Sequence, residues 1–527
     1  MTHRAAQIAP FLVTAEQMQR IEGRVFEAGM PVAALMEKVG GLICKHLLDS
    51  GRLHPGDRVG VLVGPGHNGG DALVVARELH LQGHAVQIYH PFAQRKPLTD
   101  QHGQYARSLG IPWVETVAAL ADCDLILDGL FGFGLARAIE GDLAGAIATL
   151  TAAPVPIVSI DLPSGIHTDT GAVLGTAIPA QQTLCLGLWK RAFVQEAALA
   201  YLGAPTLIDF GLPLADITAV LGDPPQVQRL TPDRAIATLP LNRPPAVHKY
   251  QVGHLLLIAG STRYAGAALL AGQGAVASGV GMLTLAVPES LRLAAVAQLP
   301  GALIVGCPET PAGAIGELPA ALRLAKYDAI ACGPGLTPQA MGVVQTLLST
   351  DRPLLLDADG LNILAALGAT ETLRSRTGPT VMTPHPGEFN RLFPGMLRAD
   401  PGSAAQQAAQ RSGATIVLKG ARAAIAAPDG SLWFNPDSTP ALARGGSGDV
   451  LTGLIGGLLA QRLAAAASVQ SAAALGAALG GVWWHAQAGL SLSRQQTLLG
   501  VEPLSLARAL LPTLQTLLSP PSRALPG

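Results

Sequence analysis

Short aliphatic runs alternate with helix-length stretches along most of the chain, and no other feature restricts the fold as much. Strand, helix, strand in succession requires crossover connections, and these build a parallel sheet covered on both faces. A first series of runs occupies 59–63, 86–89, 125–127, 155–160, 183–188 and 206–208. Ahead of it a helix is predicted over 31–48, where Val32, Leu35, Met36, Val39, Leu42 and Ile43 fall at helical spacing and Gly51 follows as a stop. A second series occupies 255–258, 283–287, 329–332, 354–356, 381–383 and 416–418. Between the two, Pro213, Pro224, Pro225, Pro232, Pro240, Pro244 and Pro245 interrupt the periodicity, which sets the boundary there. The expectation is an α/β chain of two doubly wound domains, 1–224 and 225–518. Each series has a Gly-Pro-Gly after a run, but the flanks match at no fixed period, so no repeat is assigned.

A chain of 527 residues is too long for one ordinary core and suits two. Apolar residues at 49% against 13% charged fit buried sheets under small-residue helices. A formal net charge of −1 lacks the cationic excess that phosphate-backbone binding requires, so nucleic acid is excluded as a partner. Five widely spaced cysteines with no CxxC pair read as reduced thiols, which places the protein in the cytoplasm. The N-terminus reaches Thr14, Glu16 and Gln17 before any long apolar run and is not read as a signal peptide. The stretch 463–484 has the length of a membrane span without a charge. Its Ala, Gly and Ser gain little in lipid, so it is assigned to a helix buried in a soluble domain, and no membrane partner is expected.

In an open parallel sheet, ligands bind beyond the carboxyl ends of the strands. Three polar groups of the first domain sit there. Gly64-Pro65-Gly66-His67-Asn68-Gly69-Gly70-Asp71 follows 59–63 and leads into a helix, where glycines and free amides favour close approach of an anion. Gly64, Gly66 and Gly69 satisfy GxGxxG, but no acid follows the next strand at Tyr89-His90-Pro91, which argues against an ordinary hydride-transfer site. Asp128 ends the third run and Asp161-Leu162-Pro163-Ser164 follows the fourth. One such acid alone reads as a turn or helix cap. Together, Asn68, Asp128 and Ser164 offer hard oxygens to a weakly charged cation, and Asp161 is left for proton transfer.

In the second domain, Arg444-Gly445-Gly446-Ser447-Gly448-Asp449 precedes a small-residue helix. Such a loop is a nest of outward amides that neutralises a transferring phosphoryl group, and an acid at the helix start takes a proton from a hydroxyl. The alternative is a glycine-rich loop with Asp449 as a cap. GxxxxGK[ST] is absent, so this is not a P-loop. Gly333-Pro334-Gly335, Asp357, Asp359, His385 and Lys419 follow other strands of the same series.

The ordered segments TAEQMQRIE, GPGHNGGDALVVAREL, LILDGLFGFGLAR and SIDLPSG resemble the NAD(P)HX epimerase domain over roughly the first 220 residues. The series HKYQVGHLLLIAGS, DADGLN, TPHPGEFNRL, VLKGA and GGSGDVLTG is similar to the ribokinase-like NAD(P)HX dehydratase domain over about 225–515. The resemblance implies a Rossmann-like first domain whose substrate cleft holds His67, Asn68, Gly69, Gly70, Asp71, Gly132, Phe133, Gly134, Leu135, Ala136, Arg137 and Ala138. It implies potassium on Asn68, Asp128 and Ser164, with Asp161 as acid/base. In the second domain it implies the nucleotide on Lys419, Gly420, Ala421, Arg422, Ala423, Gly445, Gly446, Ser447 and Gly448. Gly266, Ala267, Gly335 and His385 would take the hydrated nicotinamide, with Asp449 as the catalytic base. The expected co-substrate is ADP, with ATP as the alternative and magnesium accompanying it, and a homo-oligomer is expected. His67 stands where the family more usually has Asn, Phe133 where it has Thr, and Arg422-Ala423 where a residue with Thr or Asp is usual. A small-molecule kinase is the rival reading of the second domain, since it would share the anion hole. A binding module without turnover is the rival for the first, and the presence of Asp161 argues against it.

Overall fold

The computed structural model describes residues 3–397, 400–465 and 470–519. The chain forms two compact units, Met1–Gln228 and Arg229–Gly527. In the first, helix α1 (Ala15–Glu27) starts on a capping box: Thr14 accepts from the Gln17 amide while the Gln17 side chain takes the Thr14 amide. Helix α2 (Val32–Asp49) buries Leu35, Met36, Val39 and Ile43, the face given by the helical spacing. Seven parallel strands follow: β1 (Arg58–Val63), β2 (Ala85–Tyr89), β3 (Trp113–Val114), β4 (Leu125–Gly129), β5 (Ile157–Ile160), β6 (Gln182–Leu186) and β7 (Ala204–Ile208). Their order is β3-β2-β1-β4-β5-β6-β7. The order therefore reverses between β1 and β4, and helix α3 (His67–Leu81) leaves β1 there. Every residue of β4 and β5 is buried, as befits central strands covered on both faces.

The second sheet has ten strands: β8 (Val227–Arg229), β9 (His254–Ile258), β10 (Met282–Pro288), β11 (Leu303–Cys307), β12 (Ala329–Cys332), β13 (Leu354–Leu356), β14 (Thr380–Met382), β15 (Thr415–Leu418), β16 (Ala424–Ala426) and β17 (Leu432–Phe434). Their order is β8-β17-β16-β15-β14-β13-β12-β9-β10-β11, with a switch between β9 and β12. Strands β15, β16 and β17 are joined antiparallel, a double hairpin that the sequence reading did not contain. Four helices matter for the site: α4 (Ala265–Ala277), α5 (Pro386–Leu392), α6 (Ser447–Ala464) and α7 (Gln470–Gln496).

The uncharged stretch 463–484 corrects the expectation of one buried helix. It spans the end of α6 and the first half of α7, and 466–469 lie outside the described residues. Among the described residues no helix is long and apolar enough to cross a membrane. All five cysteines are buried free thiols.

Candidate active sites

At the switch point of the first sheet a cleft of about 890 Å³ opens between α1, α2, the start of α3 and the loop after β4. It brings together His67, Asn68, Asp71, Gly132, Phe133, Gly134, Leu135, Ala136, Arg137 and Asp161 and adds Glu22, Lys96 and Lys190. Gly69, Gly70 and Ala138 do not line it. A Cβ on Gly69 would stand 2.1 Å from the Gly64 carbonyl oxygen, and one on Gly70 2.6 Å from Met36 Sδ, so both glycines serve the packing of α3. Ala138 is exposed on the loop.

Asp128 is fully buried at the end of β4. Oδ1 accepts from Ser164 Oγ at 2.6 Å and the Leu130 amide at 3.2 Å; Oδ2 accepts from Ser159 Oγ at 2.7 Å and the Ser164 amide at 2.9 Å. Burial raises its carboxyl pKa above the ordinary range despite these four donors. Asn68 contributes a side-chain amide whose Nδ2 is buried without a protein partner. A Cβ placed on Gly132 would lie 3.2 Å from Asn68 Oδ1 and 2.9 Å from Asp161 Oδ2, so both oxygens face that glycine.

Asp161 sits just beyond β5 with a φ of +70°, a strained conformation for a residue with a side chain. Its Oδ2 accepts from the Phe133 amide at 2.9 Å, and its Oδ1 takes the Lys190 ammonium and, at 3.4 Å, the Leu186 amide. Lys190 is wholly buried. Burial opposes its charge, but Asp161, Cys185 and Glu22 outweigh that and hold its pKa above the usual value. Glu22 is pushed up to about 7, chiefly by burial, with Lys190 opposing and Asp161 reinforcing. Asp71 is raised well above the carboxylate range by burial and then by the charges of Asp161 and Glu22. Sequence reasoning missed Lys190 and Glu22. The signal for Lys190 was available: a lone lysine just after an aliphatic run, where polar groups were already being sought.

In the second unit, Gly446 adopts a left-handed φ of +97° and caps α6, so the Gly448 and Asp449 amides fall in the first turn and lack intrahelical acceptors. Ser447 is buried, its amide is bonded to the Arg444 carbonyl, and its own carbonyl meets the His485 ring at 3.0 Å. Arg444 pins the loop through the Leu499 and Val501 carbonyls. The Asp449 carboxyl is raised to about 7 by burial and then by Asp357, with Lys419 opposing. Lys419 Nζ lies 2.7 Å from Asp357 Oδ1 and 3.9 Å from Glu388 Oε2. Thr452 Oγ1 donates to Asp357 Oδ2 at 2.6 Å.

His385 caps α5 through Nδ1, which accepts from the Gly387 amide at 3.0 Å, and its Nε2 lies 3.5 Å from Glu388 Oε1. Gly335 packs against Tyr264 and Ala267 at the start of α4, and Gly266 is exposed beside them. Gly420, Ala421 and Gly445 are exposed and Arg422 is half-buried. Ala423 is buried and its carbonyl is taken by the Asn435 amide, which removes it from the surface offered to a nucleotide.

Two such sites, each at the switch point or a helix start of its own doubly wound unit, define a two-domain α/β enzyme. A family model described as NAD(P)H-hydrate dehydratase matches residues 255–512, and one described as YjeF-related protein N-terminus matches 32–192. The bifunctional NAD(P)H-hydrate repair enzyme Nnr of Synechocystis sp. is 53% identical over 511 residues, covering 97% of this chain and 96% of that protein. The enzyme of the same name from Thermosynechococcus vestitus is 53% identical over 513 residues, covering 97% and 98%. A solved structure of ADP/ATP-dependent NAD(P)H-hydrate dehydratase from Bacillus subtilis, co-crystallized with ATP/Mg2+, is 32% identical and covers 55% of this chain and 98% of that one, with a TM-score of 0.46. The chain belongs to the family of bifunctional NAD(P)H-hydrate repair enzymes.

Proposed function

We infer that the chain restores hydrated nicotinamide coenzymes in two steps: it interconverts the R and S forms of NAD(P)HX, and it dehydrates the S form to NAD(P)H at the expense of ADP. The observation that carries this is the 53% identity to a bifunctional repair enzyme across 97% of the chain. The two acid-bearing sites supply the chemistry it needs. In the first unit Asp161, held by the Lys190 ammonium, exchanges a proton with the substrate in the cleft, while His67 and the loop 132–137 hold the dinucleotide. In the second, Asp449 takes the proton from the ring hydroxyl as the phosphoryl group of ADP is transferred to that oxygen, releasing AMP. The Gly448 and Asp449 amides face the charge on the phosphoryl oxygens. Phosphate then leaves carbon 6 with a proton lost from carbon 5, which regenerates the reduced ring. Lys419, Gly420 and Ala421 are the nucleotide contacts, and magnesium would arrive on its phosphates, which supply most of its ligands.

Potassium fits the first unit. The buried Asp128 carboxylate accepts from two hydroxyls and two backbone amides, and one carboxylate joined by the neutral oxygens of Asn68 and Ser164 suits a monovalent ion better than a divalent one. Asn68, Asp128 and Ser164 would hold it, and it would supply positive charge at the floor of the cleft. The buried free thiols support a reducing, cytoplasmic setting.

The test is direct. Purified protein is given mixed NADHX epimers with ADP or with ATP. Return of NADH absorbance with release of AMP and phosphate supports the reading, whereas a stable phosphorylated product would make the second unit a kinase.

A further inference from the structure

Resting on the epimerase reading of the first unit, we propose that Lys190 is the positioning residue of that site: its ammonium fixes the Asp161 carboxylate in the orientation that presents Oδ2 to the substrate. Lysine is almost never fully buried without a partner, yet Lys190 has no exposed side-chain surface. Its partners account for that. The ammonium donates to Asp161 Oδ1 and, at 2.5 Å, to the Leu186 carbonyl, and it sits 5.7 Å from the centre of the Phe133 ring. Asp161 follows β5 and Leu186 ends β6, so one cation ties together the carboxyl ends of two neighbouring strands.

Asp161 needs such a tether. At a φ of +70° its backbone is in a region where side chains are crowded, and its carboxylate direction must be set by what surrounds it. Oδ1 is engaged by Lys190 and the Leu186 amide. Oδ2 has the Phe133 amide and faces Gly132, on the loop that walls the cleft. The lysine thereby divides the carboxylate into an anchored oxygen and a reactive one. Glu22 from α1, Asp71 from α3 and Cys185 from β6 are the other titratable groups around the pair. The Asp161 ion pair joins residues 29 apart, and its lysine belongs to none of the motifs that mark this cleft in the sequence.

The test compares K190M and K190R by steady-state epimer exchange, measured chromatographically above the spontaneous rate. A thermal melt of each variant reports that the first unit is folded, and dehydration by the second unit normalises for active protein. A misplaced base loses turnover rather than binding. K190M is expected to lower kcat about 100-fold, within the range of a general base, with KM changed less than about threefold, and K190R to regain about tenfold over K190M. Wild-type kcat in K190M, a loss carried by KM, or K190R no better than K190M overturns the proposal. If K190M melts below the assay temperature, K190Q takes its place in the same comparison. A wild-type protein that dehydrates but does not exchange epimers overturns the epimerase reading itself, an outcome distinct from an active wild type with an indifferent K190M.

Discussion

Asp357 Oδ1 and Lys419 Nζ meet at 2.7 Å, and the same lysine nitrogen is 3.6 Å from the position a Cβ would take on Gly448. This pair, tied to α6 by the Thr452 hydroxyl, connects the end of β13 and the loop after β15 to the helix start that carries Asp449. Removing one member strands the other. D357A is expected to destabilise the second unit by about 2 kcal/mol, less than a fully buried pair would lose, because Lys419 is only half-buried and keeps Glu388 at 3.9 Å. Urea unfolding followed by tryptophan fluorescence measures this, and a loss below about 1 kcal/mol would show that Glu388 or water replaces the partner.

Asp449 is expected to be the base of the dehydration. D449N should lower dehydration about 100-fold to 10,000-fold and leave epimer exchange at the wild-type rate, because the two chemistries lie in different units. With its pKa raised to about 7, the wild-type carboxylate is mostly protonated below that pH. The rate constant kcat/KM for dehydration should therefore fall about tenfold per unit as pH drops below 7. A profile flat from pH 5 to 8 would remove Asp449 from the role.

The same shift has a stability consequence. A carboxyl with an ordinary unfolded pKa of about 3.9 and a folded value of about 7 keeps its proton in the native state longer than in the unfolded one. Its contribution is fully present below about pH 4, shrinks as pH rises toward 7, and is gone above that. D449N, which cannot ionise, is expected to be more stable than wild type at pH 8 by on the order of 2 kcal/mol, with little difference at pH 4. Thermal melts at the two pH values without nucleotide test this, and an equal difference at both would disconnect the residue from the linkage.

The sheets were legible because central parallel strands, buried on both faces, read as unbroken aliphatic runs. The ends of those runs gave Asp128 and Asp161, whereas the strand order, and with it the two switch points, came only from the folded sheets. Edge strand β11 (Leu303–Cys307), part exposed, and the Ala-Ile-Ala strand β16 (Ala424–Ala426), with a single large aliphatic residue, leave no such signature. What the motifs did not reveal was which members face a ligand. Gly69 and Gly70 belong to a run that marks the cleft, yet the helical period turns them into the packing against Gly64 and Met36. Ser447 and Ala423 are buried although Gly446, Gly448 and Arg422 beside them are only half-buried. Lys190 stood at a strand end where polar groups were being sought, but its pairing with Asp161, 29 residues away, and that of Thr452 with Asp357, 95 residues away, are relations only the folded chain displays.

Asp161 is expected to give the reverse of Asp449. D161N should slow equilibration of the two NAD(P)HX epimers about 100-fold or more, while dehydration of the preferred epimer continues. Equilibration at the wild-type rate, measured by chromatography above the spontaneous background, would reassign Asp161 to holding Lys190 and the strand ends in place.

The last expectation concerns the cation. Asp128 gathers two hydroxyls and two amides around a fully buried carboxylate. A carboxylate raised by burial yet surrounded only by neutral donors gains most from a bound cation, because the cation compensates the desolvation that the hydrogen bonds leave unbalanced. D128A should therefore weaken substrate binding in the first unit and abolish any potassium dependence of epimerisation, with the second unit unaffected. D128N separates charge from shape: it keeps the side-chain volume and should lose the potassium response as completely as D128A. Epimer exchange is measured over a potassium series with sodium and choline chloride at matched ionic strength. If the wild-type rate ignores which cation is present, the Asp128 cluster is a hydrogen-bonded brace between β4 and the Ser164 turn, and no ion site exists there.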